Sequence, residues 1–351
     1  MKQKKLKVFH GLVNYGTQAG LFAKELHIQG IEALSVAYPD KFKRQIDIEL
    51  LHGGNFIQKI FKHTWNWIRR FYWFFKYNTF HFYFGSSLFP YQLDLPLYKY
   101  FGKKVIMEYL GYDVQLYQQS IEKYELTNVK FYYSHEESIK ADKKKIERLQ
   151  WETKYIDKQL VCAPYISEFV PGSEVLPLGI DLNEYEFKPK LVPTDEFVVL
   201  HAPTHRGNKG TEFILNAIIE LQEIGYNIKI MLAENISHKD LKKKYSEADI
   251  FIDQIVGGWY GTAAIEAMAI GTPTVCFIRE SYFEYINYGN EIPIINANPQ
   301  TLKNVLRNLI DNKELLPKIG ERSNEFVKKY HNLEKLTKRL IIIYEELHSI
   351  D

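Results

Sequence analysis

Short apolar segments alternate with helical patterns along the first half of this chain. Residues 6–13 (LKVFHGLV) have the composition of a strand, and residues 20–30 have the apolar spacing of a helix that ends at Gly30. Further strand-like segments occupy 31–38, 80–85, 103–111, 129–135, 159–164 and 173–179. Strands that recur with helices between them predict a parallel, doubly wound α/β sheet.

The alternation stops in a polar, proline-containing stretch and then begins again. Residues 182–196 combine charge with proline, which predicts a linker between two domains. Beyond the linker, strands are predicted at 197–203, 227–233, 249–256 and 272–278, and helices at 211–225, 238–248, 261–271 and 298–312. We therefore predict an N-terminal domain at 1–190, a C-terminal domain at 191–325 and a last helix at 326–351.

Composition narrows the class of protein. The 351 residues are 46% hydrophobic and 25% charged, which is ordinary for globular domains. The formal net charge of +2 argues against a dedicated nucleic-acid binder, which would carry a large basic excess. Cys162 and Cys276 lie in apolar segments and are expected to be buried free thiols. No segment reaches the roughly 18–20 uninterrupted apolar residues of a spanning helix, so we expect a cytoplasmic protein.

The most informative stretch is 248–278 (ADIFIDQIVGGWYGTAAIEAMAIGTPTVCFI). It predicts a buried strand, a glycine-rich turn, and a helix of small residues that begins at Gly261 or Thr262. Gly257 and Gly258 allow the backbone to approach a ligand closely. The free N–H groups and the positive dipole end of the new helix would then face an anion.

Glu266 lies four residues after Thr262 and therefore on the same face of this helix. A carboxylate at this position can accept hydrogen bonds from both hydroxyls of a ribose, as the acidic residue of dinucleotide-binding folds does. The alternative is a plain glycine turn followed by a helix with a partly exposed carboxylate.

A second stretch, 198–213 (VVLHAPTHRGNKGTEF), again predicts a strand, a polar loop and a helix. Arg206 and Lys209 lie in the loop, just beyond the carboxyl end of the strand. Two cations at this place can neutralise a diphosphate, because Arg contacts oxygens in a bidentate manner and Lys acts as a point charge. In an open parallel sheet such loops converge on a ligand crevice. The alternative is that both are solvated loop charges.

The two stretches together resemble the donor-binding domain of family 4 glycosyltransferases, which are retaining enzymes with the GT-B fold. The similarity is strongest over about 195–280, and the nearest likeness is to uncharacterised bacterial members. The resemblance implies two Rossmann-like domains that face a cleft, with the donor on the C-terminal domain and the acceptor on the N-terminal domain. It also implies that the last helix packs back on the N-terminal domain.

The resemblance also assigns roles to residues. Arg206 and Lys209 match the cations that hold the donor diphosphate, and Glu266 matches the second, ribose-binding glutamate of an E-x(7)-E signature. The first glutamate, which touches the transferred sugar in the family, would fall at Gly258. This departure leaves nucleotide binding intact and puts the sugar identity, or activity itself, in question. Further donor contacts are expected from a set of loop and helix-start residues, which are Gly16, Gln254, Tyr260, Gly261 and Thr262. Asp253 or Gln254 can take over part of the role of the missing glutamate.

The N-terminal half carries fewer candidates. In 106–117 (IMEYLGYDVQLY) the family often has a histidine before the glycine, where this chain has Leu110. Glu108 and Asp113 remain as polar candidates for the catalytic side, with Asp113 equally suited to cap a helix. His10 and His81 lie on strands and are expected in the core. No His, Cys, Asp or Glu cluster has the spacing of a metal site, so no metal is expected.

The tract 56–78 (FIQKIFKHTWNWIRRFYWFFKYN) interleaves aromatic and basic residues. One interpretation is an interfacial helix on an anionic membrane. The aromatic side chains would then lie at headgroup level, and the basic side chains would contact lipid phosphate. The aromatic residues are Trp65, Trp67, Phe71 and Trp73, and the basic residues are Lys62, Arg69 and Arg70. The other interpretation is a core helix with solvated basic ends. Sequence reasoning leaves both open.

These observations predict a glycosyltransferase that moves a sugar from a nucleotide-diphosphate-sugar donor to a glycan or lipid-linked acceptor. Retention of configuration, a role in bacterial surface glycan synthesis, and independence from metals and cofactors are expected. The expected location is the cytoplasm, at the inner face of the membrane if the tract 56–78 binds lipid. One alternative is a partner protein that binds nucleotide without turnover. A second is a nucleotide-sugar epimerase, which would need acidic residues that are not found.

Overall fold

The computed structural model describes residues 5–40 and 44–349. The chain separates into two compact units. The first unit comprises the described residues up to Gln115, then Ala141–Gly179, and those from Leu333 onward. The second unit comprises Leu116–Lys140 and Ile180–Asn332. Each unit is built around its own parallel sheet.

Strands and helices alternate along the chain, as the apolar pattern predicts. The strands are β1 (Lys7–Leu12), β2 (Glu32–Ala37), β3 (Ile48–Glu49), β4 (Thr79–Tyr83), β5 (Lys104–Tyr109), β6 (Lys158–Val161), β7 (Glu174–Val175), β8 (Phe197–His201), β9 (Ile228–Leu232), β10 (Ile250–Ile252), β11 (Thr274–Cys276) and β12 (Ile295–Asn296). The helices are α1 (Gln18–Ile28), α2 (Phe56–Lys76), α3 (Leu95–Tyr100), α4 (Tyr117–Lys123), α5 (His135–Glu152), α6 (Arg206–Lys209), α7 (Thr211–Glu223), α8 (His238–Glu247), α9 (Thr262–Ile270), α10 (Leu302–Asp311), α11 (Leu316–Tyr330) and α12 (Leu333–Ser349).

The sheet of the first unit has the order β3-β2-β1-β4-β5-β6-β7, and all its pairs are parallel. Chain order runs outward in both directions from the neighbouring strands β1 and β4. The carboxyl ends of these two strands therefore form the switch point at which an open α/β sheet binds ligands.

The sheet of the second unit has the order β12-β11-β10-β8-β9, again wholly parallel. Its core is formed by apolar residues of the strands and of the helices α7 and α10, including Val199, Ile214, Ile252 and Leu306. Because β8 and β10 are neighbours, the loops that follow them open at the same edge of the sheet.

The last helix, α12, belongs to the first unit. Its apolar residues Leu336, Leu340 and Ile343 are buried in one cluster with Val8 and Phe22 of β1 and α1. The 3–4 residue spacing of these side chains places them on one face, which is the pattern that predicts a packed amphipathic helix.

The unit boundaries differ from those that the sequence suggests. The break falls at Gly179 rather than at residue 190. The physical reason is that Lys190 donates to the carbonyl oxygens of Tyr245, Ser246 and Ala248, which ties the segment before the predicted boundary to the second unit. The segment 129–135, predicted as a strand, forms a 3₁₀ turn within the second unit and leads into α5.

Both cysteines are buried free thiols, as predicted. Among the residues that the structure describes, no helix is long and apolar enough to cross a membrane. The same residues contain no group of three or more His, Cys, Asp or Glu side chains that could hold a metal ion.

Candidate functional site

The loops after β8 and β10 carry the residues predicted to bind the donor. Lys209 ends the one-turn helix α6, and Asp253 directly follows β10, before the glycine turn that leads into α9. Asp253 Oδ1 accepts a hydrogen bond from Lys209 Nζ at 2.5 Å, and its Oδ2 accepts one from the backbone N–H of Gly261 at 2.9 Å. The fold therefore brings Lys209, Asp253 and the start of α9 together.

This arrangement has the charge distribution of an anion site. Asp253 is buried, whereas Lys209 keeps 16% of its side chain exposed. An ammonium group has three N–H donors, and Asp253 occupies one of them. Asp253 occupies the N–H of Gly261, and Gly261, as the N-cap residue of α9, has no side chain to accept from the N–H groups that follow it. A partly free cation beside these following N–H groups suits a phosphate group.

Arg206, the other predicted diphosphate ligand, has different partners. Its Nε and Nη2 contact the two carboxylate oxygens of Glu234 at 2.9 and 2.7 Å, and its Nη1 contacts Glu212 at 3.1 Å. These hydrogen bonds raise the pKa of Arg206 above its ordinary value. Two carboxylates outweigh the single positive charge, so the structure leaves Lys209 as the better-placed cation.

Glu266 lies on α9 and is almost fully buried. Its Oε1 accepts hydrogen bonds from the Tyr185 hydroxyl at 2.9 Å and from His238 Nε2 at 2.8 Å, and its Oε2 accepts one from the Tyr245 hydroxyl at 3.4 Å. The hydrogen bond to Glu266 raises the pKa of His238 above 6.5, against a smaller lowering by burial. A carboxylate has about four acceptor positions, so these donors leave little free capacity.

Gly258 occupies the place of the first signature glutamate. Its φ of +85° lies in the left-handed region, and a Cβ here would lie 2.9 Å from Nη1 of Arg279. The Arg279 guanidinium stacks on the ring of Tyr124 at 3.6 Å and donates to the carbonyl of Leu126 at 2.6 Å. A glutamate at 258 would be strained by its backbone and crowded by Arg279.

Gln254, Gly261 and Thr262 surround the turn before α9. The side-chain amide of Gln254 donates to the carbonyl of Trp259 and so closes the turn. This hydrogen bond gives Gln254 a role in shaping the loop. Gly261 and Thr262 are partly exposed at the start of α9, and the N–H of Gly261 is held by Asp253, so an anion would contact the N–H of Thr262.

Tyr260 was expected among the donor contacts, and the structure places its side chain in the core of the second unit. Its hydroxyl contacts Nε2 of His331 at 3.0 Å, and its ring packs against Phe326. The ring is nearly inaccessible to solvent. Tyr260 therefore anchors the turn, and its side chain offers no surface to a ligand in this conformation.

In the first unit, Gly16 lies between β1 and α1, partly exposed, with a φ of +52°. Its carbonyl accepts a hydrogen bond from the side chain of Gln18 at 3.0 Å, and the same amide donates to the carbonyl of Gly179. This glycine turn is at the carboxyl end of the first sheet, whereas the Lys209 cluster belongs to the second unit.

Glu108, a predicted catalytic candidate, lies in the core of the first unit. Its Oε2 is 3.0 Å from His81 Nε2, and His81 Nδ1 is 2.7 Å from the hydroxyl of Tyr344. Burial raises the pKa of Glu108 to about 8 and lowers that of His81 to about 3, which favours a neutral pair. Glu108 is therefore buried beside the core histidines His10 and His81, and its catalytic role stays a prediction.

Asp113 is neither a helix cap nor an exposed acid. Its Oδ1 accepts hydrogen bonds from the N–H groups of Leu110 and Gly111 at 3.0 and 2.8 Å, while α4 begins only at Tyr117. Its Oδ2 is buried and has no hydrogen-bond partner among the described residues. Burial raises the pKa of Asp113 to about 6. The carboxylate thus holds the turn after β5.

The tract 56–78 contains the 21-residue helix α2 and presents two different faces. Trp73 and Arg70 are buried, which corrects their expected place at a lipid surface, and Trp67 is partly covered by Phe89. The opposite face exposes a stripe of apolar side chains at 46–77% of their surface, comprising Phe56, Ile57, Ile60, Phe61, Trp65, Ile68, Phe71, Tyr72 and Phe75. The helix is therefore both a core element and an exposed apolar surface.

Sequence reasoning missed the residues that surround Glu266 and Gly258. Tyr185, His238 and Tyr245 lie 81, 28 and 21 positions from Glu266. Arg279 follows β11 without any local motif. No spacing rule connects positions so far apart, because strand order in the sheet brings them together.

Part of the second unit is similar in sequence to known glycosyltransferases. Residues 207–326 match the family model described as "Glycosyl transferases group 1". The chain is similar to mannosylfructose-phosphate synthase of Agrobacterium fabrum, with 38% identity over 77 residues that cover 22% of this chain and 17% of that protein. The matched segment thus spans less than a fifth of that relative's length.

Two solved structures share the fold over nearly the whole chain. Sucrose-phosphate synthase from Thermosynechococcus elongatus superposes with a TM-score of 0.64 at 15% identity, covering 99% of this chain and 100% of that chain. HepE of Anabaena in complex with UDP-glucose superposes with a TM-score of 0.61 at 12% identity, covering 98% and 100%. The chain therefore has the GT-B fold with two Rossmann-like domains.

Proposed function

We propose that this protein is a glycosyltransferase that uses a nucleotide-diphosphate-sugar donor bound by its second unit. The observation that carries the proposal is the convergence of Lys209 and the start of α9 on Asp253, at the carboxyl ends of neighbouring strands. This is where open α/β sheets bind phosphate-bearing ligands. The match of the same segment to the group 1 family supports the assignment.

The proposed roles follow from the charges around the start of α9. Lys209 and the N–H group of Thr262 at the start of α9 neutralise the departing diphosphate, which stabilises charge that develops in the transition state. Glu266 accepts a ribose hydroxyl once His238, which is 55% exposed, gives up its hydrogen bond. Arg206 contributes at the rim of the site if the diphosphate replaces one of its carboxylate partners.

The finer features of the reaction are proposals as well. Retention of configuration follows from the family 4 resemblance, and the acceptor is a glycan or lipid-linked molecule of a bacterial surface glycan. Lys209 and the helix start supply the positive charge that a metal ion provides in metal-dependent transferases. We therefore propose that turnover needs neither a metal nor a cofactor.

A nucleotide-sugar screen tests the function. We expect thermal stabilisation by one nucleotide sugar, with UDP-glucose as the first candidate because HepE was solved with it. We expect that this donor releases its nucleoside diphosphate at an equal rate with and without EDTA. A rate that collapses in EDTA and returns with Mg²⁺ or Mn²⁺ would refute metal independence.

The same screen distinguishes the proposed transferase from the principal alternative, a partner protein that binds nucleotide without turnover. A protein that is stabilised by nucleotides but releases no diphosphate with any acceptor pool would be a binding partner without turnover. Gly258, packed under Arg279, is the observation that favours this alternative. Absence of stabilisation by any nucleotide or nucleotide sugar would overturn the donor site altogether.

We further propose that α2 contacts an anionic membrane surface. Its exposed stripe of large apolar side chains repeats every three or four residues, and the helix contains basic residues but no Asp or Glu. Apolar stripes of this size on a soluble protein mark interaction surfaces. The basic residues match a negatively charged lipid layer, into which the aromatic side chains can insert.

Vesicle flotation tests this contact. We expect the protein to float with phosphatidylglycerol-containing vesicles at low salt, and the double variant Phe61→Ser, Trp65→Ser to bind at least about tenfold more weakly, because each buried aromatic contributes roughly 1.5–3 kcal/mol. The matched control is Ile28→Ser, Ile342→Ser, which removes exposed apolar side chains elsewhere in the same unit. Equal binding by both double variants would contradict the proposal.

A further inference from the structure

A pocket of about 700 Å³ opens in the first unit, apart from the residues discussed so far as the donor site. Its walls include Leu12 at the end of β1 and Gly85 and Ser86 just after β4. These are the two strands at which the order of the sheet reverses. The pocket therefore lies where the geometry of a doubly wound sheet leaves a crevice.

Arg70 of α2 forms part of the wall and is an unusual buried cation. The side chain is only 5% exposed. Its Nη2 donates to the hydroxyl of Tyr38 at 2.7 Å, and its Nε is buried without a hydrogen-bond partner. Among the residues that the structure describes, no carboxylate forms a salt bridge with it. Burying a charge without a counter-ion lowers the stability of the fold, so an anion bound in the pocket would stabilise Arg70.

Two further cations line the same pocket. Arg148 of α5 donates to the carbonyl of Asp113 at 2.6 Å and contacts buried Glu152 at 3.0 Å, which fixes its guanidinium. A Cβ on Gly85 would lie 2.5 Å from Cζ of Arg148, so the glycine makes room for this group. Lys144 lies at the exposed rim, and the single carboxylate of the lining, Glu147, is exposed to solvent. Glu152 and Glu147 offset the charges of Arg148 and Lys144, so the net positive charge of the pocket comes from Arg70.

The remaining wall is largely aromatic and apolar, with Phe89, Tyr91 and Trp151 among its members. Phe89 also packs against Trp67 and Phe71 of α2, at ring distances of 5.0 and 5.1 Å. The pocket therefore combines a cationic end with a wall suited to a sugar ring or a hydrocarbon chain.

We propose that this pocket binds a phosphate group carried by the acceptor, a phosphate monoester of a sugar or of a lipid. Two arginines in fixed positions suit phosphate, because a guanidinium forms bidentate hydrogen bonds with its oxygens. Only the identification of this ligand as the acceptor rests on the proposed function. Binding of phosphate to the first unit is an independent property.

Calorimetry with glucose 6-phosphate and with inorganic phosphate tests the proposal. We expect the wild type to bind glucose 6-phosphate and Arg70→Gln to bind it about tenfold to a hundredfold more weakly, as for the loss of a charge-assisted hydrogen bond. The matched control is Arg69→Gln, which changes the adjacent arginine of α2 that does not line the pocket. Nucleotide affinity, measured in parallel, should be unchanged in both variants.

A second pair of variants tests the pocket independently if Arg70→Gln does not fold. Lys144 and Lys143 are neighbouring exposed residues of α5, and only Lys144 lines the pocket. Lys144→Gln should weaken glucose 6-phosphate binding severalfold, and Lys143→Gln should not. Wild-type binding in both pocket variants would overturn the proposal, even if the nucleotide still binds the second unit. Loss of nucleotide binding alone would overturn the proposed function and leave this pocket standing.

Vesicles distinguish the two sources of phosphate. Phosphatidic acid vesicles should bind in an Arg70-dependent manner if the acceptor phosphate is carried by a lipid. Phosphatidylglycerol vesicles, whose phosphate is a diester, are the control for general binding of α2 to an anionic surface. Arg70-dependent binding of glucose 6-phosphate alone would indicate a soluble sugar phosphate. If neither probe distinguishes Arg70→Gln from the wild type, no phosphate site exists here.

Discussion

Replacement of Lys209 by methionine is expected to reduce turnover by about 10²–10³-fold, the usual effect of removing one group that stabilises transition-state charge. Lys209 lies beside the start of α9, because both contact the same carboxylate of Asp253. Two of its three N–H donors remain for the departing diphosphate. The measurement is the rate of nucleoside diphosphate release with the donor found by the nucleotide-sugar screen.

This substitution also removes the partner of a buried carboxylate. Asp253 is almost inaccessible, and leaving it without Lys209 can destabilise the fold by about 3–5 kcal/mol. The double variant Lys209→Met, Asp253→Asn removes both charges and should recover most of that stability in thermal unfolding. We expect turnover to stay low in the double variant. Recovery of turnover together with stability would show that Lys209 has only a structural role.

A matched lysine controls for charge alone. Lys229 on β9 forms a salt bridge with Glu196 at 3.2 Å, and both side chains are exposed. Lys229→Met lowers the net charge of the second unit by the same amount without touching the Lys209 cluster. We expect its turnover and melting temperature to match those of the wild type within error.

Glu266→Ala should weaken binding of the nucleoside diphosphate about tenfold to a hundredfold, because a buried carboxylate that accepts a ribose hydroxyl contributes roughly 1.5–3 kcal/mol. The substitution also removes the acceptor for Tyr185 and Tyr245, so Glu266→Gln serves as the conservative companion. Calorimetry on folded protein, checked by thermal unfolding, gives the comparison. Unchanged affinity in both variants would exclude Glu266 from the donor site.

The pH dependence of nucleotide binding gives a more specific signature of the same site. The hydrogen bond to Glu266 raises the pKa of His238 above 6.5, so a protonated His238 holds the carboxylate most firmly at low pH. Ribose must displace this contact, and affinity should therefore rise as the pH rises through the pKa of His238. His238→Ala should bind more tightly at low pH and lose this dependence. The free energy of unfolding contributed by the His238–Glu266 pair changes in the opposite direction. This contribution is present below pH 6.5 and is lost as the pH rises through the folded-state pKa of His238.

Arg206 and Lys209 illustrate how far a loop motif can be interpreted alone. Their spacing predicts two equivalent cations after a strand, and sequence gives no reason to rank them. The structure separates them, because Glu234 at the end of the neighbouring strand β9 holds Arg206, whereas Asp253 after β10 directs Lys209 to the start of α9. The order of strands in the sheet therefore determines that Arg206 pairs with Glu234 and Lys209 with Asp253.

The N-terminal candidates show the opposite limit. Glu108 and Asp113 are candidates because they are acidic and close to a glycine after a strand. Both are buried, one against His81 and the other against the N–H groups of its own turn. Residue type and position could not reveal this, since burial is decided by helices that return from distant parts of the chain, such as α12 with Tyr344 beside His81.

The alternation of strands and helices, the parallel doubly wound class and the glycine turn that starts α9 can be predicted from the chain's residues, because hydrophobic periodicity and glycine act over a few residues. The side chains that surround Glu266, the burial of Tyr260 and Arg70, and the exposed apolar stripe of α2 are visible only in the folded protein. Strand order and the return of distant helices set these contacts, and neither leaves a local signal. A buried arginine without a salt bridge can therefore be recognised only when all its described neighbours are in place.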